Sequence, residues 1–334
     1  MGRFETYAES NFIINLCETE PSDSLSEEYT EWVKIFNIIA KKSVLCIDSK
    51  DELINKSKEN PRLTRLIKCL SEGGSKLLVN KEHFTKLNSD KRSFLKTSKS
   101  SPIYCLSKPS TNANNGVFVA DSMNYQDKFK KIIREAYSIS VNIKKQSQFS
   151  WKNLLDNQPP LNSIIIADPY LIKESDFDKN LFQILDILLP NKNLDETFHV
   201  TLITGSKAGL SLKQLKNKHE KIKEFVGSRI SDFKLGIYIV DQKRGVGKMM
   251  HDRMLITNYF YLSTGKGFDL FNSDDEIKDD TILQWSAICT SQNLNTMYNE
   301  LGKLNSYVVE CHNKFPSMPQ FFGDKENRLL NITE

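Results

Sequence analysis

The chain has 334 residues, 39% hydrophobic and 26% charged, with 46 Lys and Arg against 42 Asp and Glu for a net charge of +4. That length suits two globular domains, and so small a charge excludes a wholesale polycation, leaving any basic surface local. The six cysteines stand singly, with no C-x-x-C pair and no histidine at zinc-ligand spacing, and no run of about 18 apolar residues occurs. A reduced, cytoplasmic protein without a transmembrane segment is the expectation, and no leader-like apolar stretch follows Met1.

In chain order, Ser24 to Glu27 reads as a capping box ahead of a helix striped with Trp32, Ile35, Phe36 and Ile39. A short strand is expected over 43–48. A helix over 61–70 is stopped by Gly73-Gly74, and a strand over 76–79 follows. Residues 91–116 are rich in Ser, Lys, Asn and Thr and read as loops around one strand, Ile103 to Leu106. Phe129, Ile132, Ile133 and Ala136 mark another amphipathic helix. The turn Asn157-Gln158-Pro159-Pro160 sets the expected boundary between an N-terminal α/β domain, residues 1–157, and a second domain, residues 158–334.

Beyond that turn the pattern is regular. Ile164-Ile165-Ile166-Ala167-Asp168 reads as a strand buried on both faces, with a carboxylate at its end. A helix carrying Phe177, Leu181, Ile184, Leu185 and Leu188 follows, then a strand over 198–204. A helix from Ser211 and a strand over 233–239 come next. This alternation predicts an α/β layered sheet flanked by helices. Ligands of such sheets collect beyond the carboxyl ends of the parallel strands, which puts Asp168, Thr204-Gly205 and Asp241-Gln242-Lys243 on one rim. Two further strands start at Met254 and about Phe260, and Met297, Leu301, Leu304, Val308 and Cys311 define a closing helix.

The chemistry concentrates in residues 243–272, KRGVGKMMHDRMLITNYFYLSTGKGFDLFN. His251 and Arg253, two apart at the mouth of a strand, share one face. The spacing H-x-R-x4-N, completed by Asn258, resembles the H-x-K-x4-D signature of the phospholipase D superfamily. Ser263 to Asp269 is similar to the turn that follows it there. The run as a whole resembles most the C-terminal phospholipase D-like module of MIT-domain proteins, over about residues 160–312. The resemblance implies a phospholipase D-like sheet preceded by a smaller N-terminal α/β domain. It also implies a metal-independent phosphodiesterase, a nuclease first of all, that needs no cofactor.

Carried onto this sequence, His251 is the nucleophile, Arg253 grips non-bridging oxygens and Asn258 completes the catalytic motif. Lys266, Lys248, Thr264, Gly265 and Asp168 complete a phosphate-binding set. One motif supplies one histidine where the chemistry needs two, so the expected active form is a homodimer acting on nucleic acid or another phosphodiester. Asn258 stands where the family has aspartate, which keeps open a non-catalytic module that binds phosphate groups of nucleic acid or of phospholipid headgroups, with peripheral lipid binding. A metal nuclease using Asp168 and the Asp241-Gln242-Lys243 triplet is the third alternative. A free-standing nuclease-like domain of this kind is also similar in architecture to prokaryotic defence effectors.

Overall fold

The computed structural model describes residues 4–89, 101–109, 116–144, 149–172, 177–191, 194–205, 211–240, 253–289, 291–313 and 321–330. The chain divides into two compact units, Met1–Arg134 with Ala287–Asn295, and Glu135–Ser286 with Thr296–Glu334.

The first unit is wound around β1 (Phe4–Ala8). In chain order come α1 (Ser10–Glu18), α2 (Glu27–Asn37), β2 (Ser43–Ile47), α3 (Lys50–Ser57), α4 (Pro61–Ser71), β3 (Lys76–Val79), α5 (Lys81–Ser89), β4 (Ile103–Leu106), β5 (Phe118–Asp121) and α6 (Tyr125–Ile133). The Ser26 hydroxyl accepts from Tyr29 N and starts α2, and Asn60 caps α4 by accepting from Arg62 N and Leu63 N. A π-helical turn over Ile38–Lys42 carries α2 into β2.

The four pairings of its described strands are parallel and the order is β3-β2-β1-β4-β5, so the sheet is doubly wound, with its reversal between β1 and β4. One face is filled by Cys46, Phe84, Leu87, Tyr104, Leu106, Val117 and Val119 with Tyr7 against them. On the other, Phe118 meets Phe129 of α6 edge-on at 5.0 Å. Trp32 is 1% exposed and its indole N–H donates to Leu16 O at 2.8 Å, which satisfies the one polar atom of a large buried side chain.

The second unit holds an eight-stranded sheet. It opens with β6 (Tyr137–Val141) and α7 (Trp151–Leu155). The βαβαβ run follows: β7 (Ser163–Ala167), α8 (Phe177–Leu188), β8 (Phe198–Gly205), α9 (Leu212–Gly227) and β9 (Phe233–Val240). Next are β10 (Arg253–Thr257), β11 (Phe260–Thr264), β12 (Thr281–Ala287), α10 (Ser291–Asn313), which belongs to this unit from Thr296 on, and β13 (Phe321–Gly323). The order is β13-β9-β8-β7-β10-β11-β12-β6. Strands β7, β8 and β9 are parallel; β10 runs antiparallel to β7 and forms a hairpin with β11.

Every residue of β7 and β8 is buried, so their continuous apolar runs are explained by cover on both faces. Removing Ile164, Ile165 and Ile166 from water contributes about 1.5–3 kcal/mol each. Ser211 and Gln214 form a full capping box at the start of α9.

The division between the units falls at Arg134–Glu135, ahead of the turn at Asn157-Gln158-Pro159-Pro160. The intervening residues belong to the second sheet, because β6 pairs antiparallel with β12 from Thr281↔Val141 to Trp285↔Tyr137. Tyr137 stacks on Trp285 at 5.2 Å, and Trp285 Nε1 donates to Gln158 Oε1 at 3.0 Å.

Candidate functional site

Three strand ends meet at one rim of the second sheet. The register Met254↔Ala167 brings Asp168, the residue after β7, beside Arg253, the first of β10, and Arg253 pairs laterally with Thr264 at the end of β11. The next strand joins them, since Asp168 N donates to Ile203 O and Thr204 Oγ1 donates to Pro169 O at 3.1 Å. Asp168 and Thr204-Gly205, two of the three groups expected on one rim, thus stand beside Arg253 and the turn that follows Thr264.

That turn, Gly265-Lys266-Gly267-Phe268, is fixed from beneath by Asp168. Its Oδ2 accepts from Phe268 N at 2.7 Å and its Oδ1 from Tyr170 N at 2.9 Å. Gly267 has φ +113, and a Cβ there would stand 2.7 Å from Asp168 Oδ2, so conformation and space both require glycine. Asp168 is 1% exposed. Burial pushes its carboxyl above the usual carboxylate range, opposed by the two amides and by the nearby Arg253 guanidinium; Asp269 adds to the rise. Its place is that of a positioning group for the turn, not of a group that meets a phosphate, because its oxygens face main-chain amides inside the protein and an anion would be repelled.

Arg253 is half-buried. Its Nη1 donates to Gly265 O, and the guanidinium lies over the Tyr170 ring, 5.9 Å from the centroid. A cation braced by a carbonyl and an aromatic face is pre-oriented, so less side-chain entropy is lost when it takes an anion. Gly265 and Lys266 are exposed on the turn beside it, with Lys266 N donating to Thr264 Oγ1 at 3.4 Å. Thr264 is buried, its hydroxyl 3.0 Å from that of Thr281. His251 and Lys248, and the Asp241-Gln242-Lys243 triplet, lie outside the described residues.

Asn258 is not at this rim. It follows the far end of β10, is 1% exposed, and accepts with Oδ1 from Asn162 N at 3.0 Å and Ser163 N at 3.1 Å. Its Nδ2 donates to Asn162 Oδ1 at 3.0 Å. The side chain anchors the start of β7, and the oxygen that does so is an acceptor an aspartate would also supply. The Asn-for-Asp exchange is thus a matter of strand anchoring at a distance from the cation.

Two contributors escaped the sequence reading. Asn180, buried on α8, donates to Asp269 Oδ1 at 2.8 Å and Phe271 O at 2.9 Å and accepts from Phe271 N at 2.8 Å, so it fixes the chain beyond the turn. Its signal was a polar residue inside an apolar helical stripe. Tyr170 supplies the aromatic bed of Arg253, and nothing in its sequence setting distinguishes it. Among the described residues, no group of three His, Cys, Asp or Glu is placed to hold a metal, and no helix is long and apolar enough to cross a membrane. The described cysteines, Cys17, Cys46, Cys69, Cys105 and Cys289, are free thiols, all but Cys69 buried.

No family model and no curated protein matches this sequence. Among solved structures, the chain is similar to a phosphatidylserine synthase of Haemophilus influenzae Rd KW20, at 12% identity and a TM-score of 0.32 over 59% of this chain. It spans 41% of that protein.

Proposed function

We propose that the second unit is a metal-independent phosphodiesterase of the phospholipase D-like kind, acting on nucleic acid as a homodimer. The observation that carries the reading is the braced Arg253, held by the Gly265 carbonyl and the Tyr170 ring at the start of β10, two residues after His251. A planar guanidinium set at a strand end beside an exposed glycine turn is suited to bind two non-bridging phosphate oxygens at once. Lys266, exposed on that turn, adds charge where the transition state becomes more anionic.

In this mechanism an imidazole nitrogen of His251 attacks phosphorus and the P–O bond to the leaving group breaks. The partner's His251 gives its proton to the departing oxygen. Water then attacks the phosphohistidine, which restores the free imidazole and releases the phosphomonoester. Arg253 orients the phosphate and stabilises its charge throughout. Asp168 acts through the turn, and Asn258 through the anchoring of β7; neither touches the reacting atoms.

The test is hydrolysis of bis(4-nitrophenyl) phosphate and of single-stranded oligonucleotides in excess chelator. Turnover that persists there, disappears in His251→Ala and drops at least about 100-fold in Arg253→Ala supports the reading. Phosphate binding without turnover by a verified dimer would replace the enzyme by the binding module resembling that of MIT-domain proteins.

A further inference from the structure

Behind the hairpin of β10 and β11, within the second unit, lies a cavity of about 540 Å³. The register pairs Met254↔Ser263 and Ile256↔Tyr261 put these four residues on one sheet face, opposite the face that carries Arg253. Met297 of α10 closes the cavity from above and Gln284 of β12 lines its side. Apolar surface from two thioethers, two isoleucines and a phenol ring is thus combined with an amide and hydroxyls. Among the described residues no lysine, arginine or histidine lines it. The one charged lining group, Glu300, is paired with Lys303 Nζ at 2.6 Å.

Such a lining rejects a phosphate and accepts an uncharged, planar, hydrogen-bonding group. The lining is mainly apolar, as small-ligand sites are, and adds an amide that can pair in two places with the edge of a base, and the volume lies within the usual range of such sites. The cavity lies on the other sheet face from Arg253 and reaches it through the turn. Thr264 and Gly265 belong to its wall, and the Gly265 carbonyl is the group that holds Arg253. A nucleotide whose base enters the cavity has its phosphate directed to the turn at the rim.

We infer that this cavity is a base-binding subsite that selects single-stranded nucleic acid over phospholipid as the bearer of the phosphodiester. The inference rests on the phosphodiester reading of the rim and names its substrate class.

The experiment measures binding to the full chain of nucleosides, 5′-mononucleotides, glycerol 3-phosphate and inorganic phosphate by calorimetry. Mononucleotides are expected to bind at least about tenfold more tightly than glycerol 3-phosphate, and nucleosides to bind measurably without any phosphate. Gln284→Ala, at an exposed position that leaves the core intact, weakens nucleoside and nucleotide about five- to tenfold and leaves inorganic phosphate unchanged. Met297→Trp, which fills the cavity, removes the preference for nucleotides.

Equal affinities for nucleotide and glycerol 3-phosphate, or a preference that survives Gln284→Ala and Met297→Trp, overturns the inference. Preference for glycerophospholipid headgroups overturns it in favour of lipid. If inorganic phosphate fails to bind, or binds Arg253→Ala equally well, the rim reading fails instead, a result the nucleoside measurements cannot produce.

Discussion

Gly267→Ala is the substitution that asks most of the site's architecture. At φ +113 an alanine adopts a backbone conformation that costs about 1–3 kcal/mol. Its Cβ would also stand 2.7 Å from Asp168 Oδ2, with Cγ and Oδ1 at 3.4 Å. The atom struck is the carboxylate oxygen that accepts from Phe268 N at 2.7 Å, and displacing it forfeits a charge-assisted hydrogen bond of about 1.5–3 kcal/mol. One backbone shift relieves part of both, so the costs do not add fully and a loss of about 3 kcal/mol is expected. For a unit of this size that lowers the melting temperature by about 6–12 °C. Gly265→Ala is the internal control. Nothing lies within 4 Å of its Cβ and its φ is not in the positive range, so its melting point should match the unmodified chain within about 1–2 °C. Differential scanning calorimetry of both variants decides. A Gly267→Ala protein melting with the wild type would refute the account of the turn, and so would a Gly265→Ala protein that falls equally far.

Asn258→Ala leaves the Asn162 and Ser163 amides without their buried acceptor and should lower stability by about 2–4 kcal/mol in urea unfolding, while Asn258→Asp keeps that acceptor, gives up the Nδ2 donor to Asn162 Oδ1, and should lower stability less. His199 is 3% exposed with Nδ1 accepting from Arg328 N at 2.9 Å, and burial, helped by Arg328 and Lys234, lowers its pKa to about 4. The unfolded chain then binds the extra proton first, so stability declines as pH falls from about 6.5 to about 4. The slope approaches 1.4 kcal/mol per pH unit for a total of about 3 kcal/mol, and His199→Gln should flatten it in pH-dependent denaturation. Burial raises the Cys17 thiol to about 12, Cys46 to about 11 and Cys289 to about 12, and also raises Cys105. A thiol reagent at neutral pH should therefore leave these four unmodified in the native protein and reach all six cysteines in denaturant.

Much of the second sheet was legible because its signals are local. The Ile164 to Ala167 run, the stripe of α8 and the start of a helix at Ser211 each lie within a dozen residues, and each is found where the local pattern puts it. What escaped was decided across the chain. β1 and α1 are short and lack a strong period, yet β1 is the strand about which the first sheet reverses. The place of β6 depends on β12, which pairs with it from the far side of the unit's sequence, so no local signal announces it.

The site shows the same contrast. Arg253 and the glycine turn are contiguous enough to read from spacing. Asp168 reaches Phe268 across 100 residues and Asn258 reaches Asn162 across 96, and only the folded register reveals one as the support of the turn and the other as a strand anchor. Asn258, which read as the residue that put turnover in question, accepts from two main-chain amides and donates to the Asn162 side chain.

The most direct test of the phosphodiesterase account is to stop the reaction in strong alkali and locate where the phosphorus has gone. The protein is mixed with a phosphodiester in excess chelator, quenched within one turnover, digested and mapped by mass spectrometry. The account predicts a phosphorus adduct on His251 that forms and decays at the rate of turnover and is absent from His251→Ala. Turnover with no adduct on His251, or turnover that stops when metal is withdrawn, would contradict it.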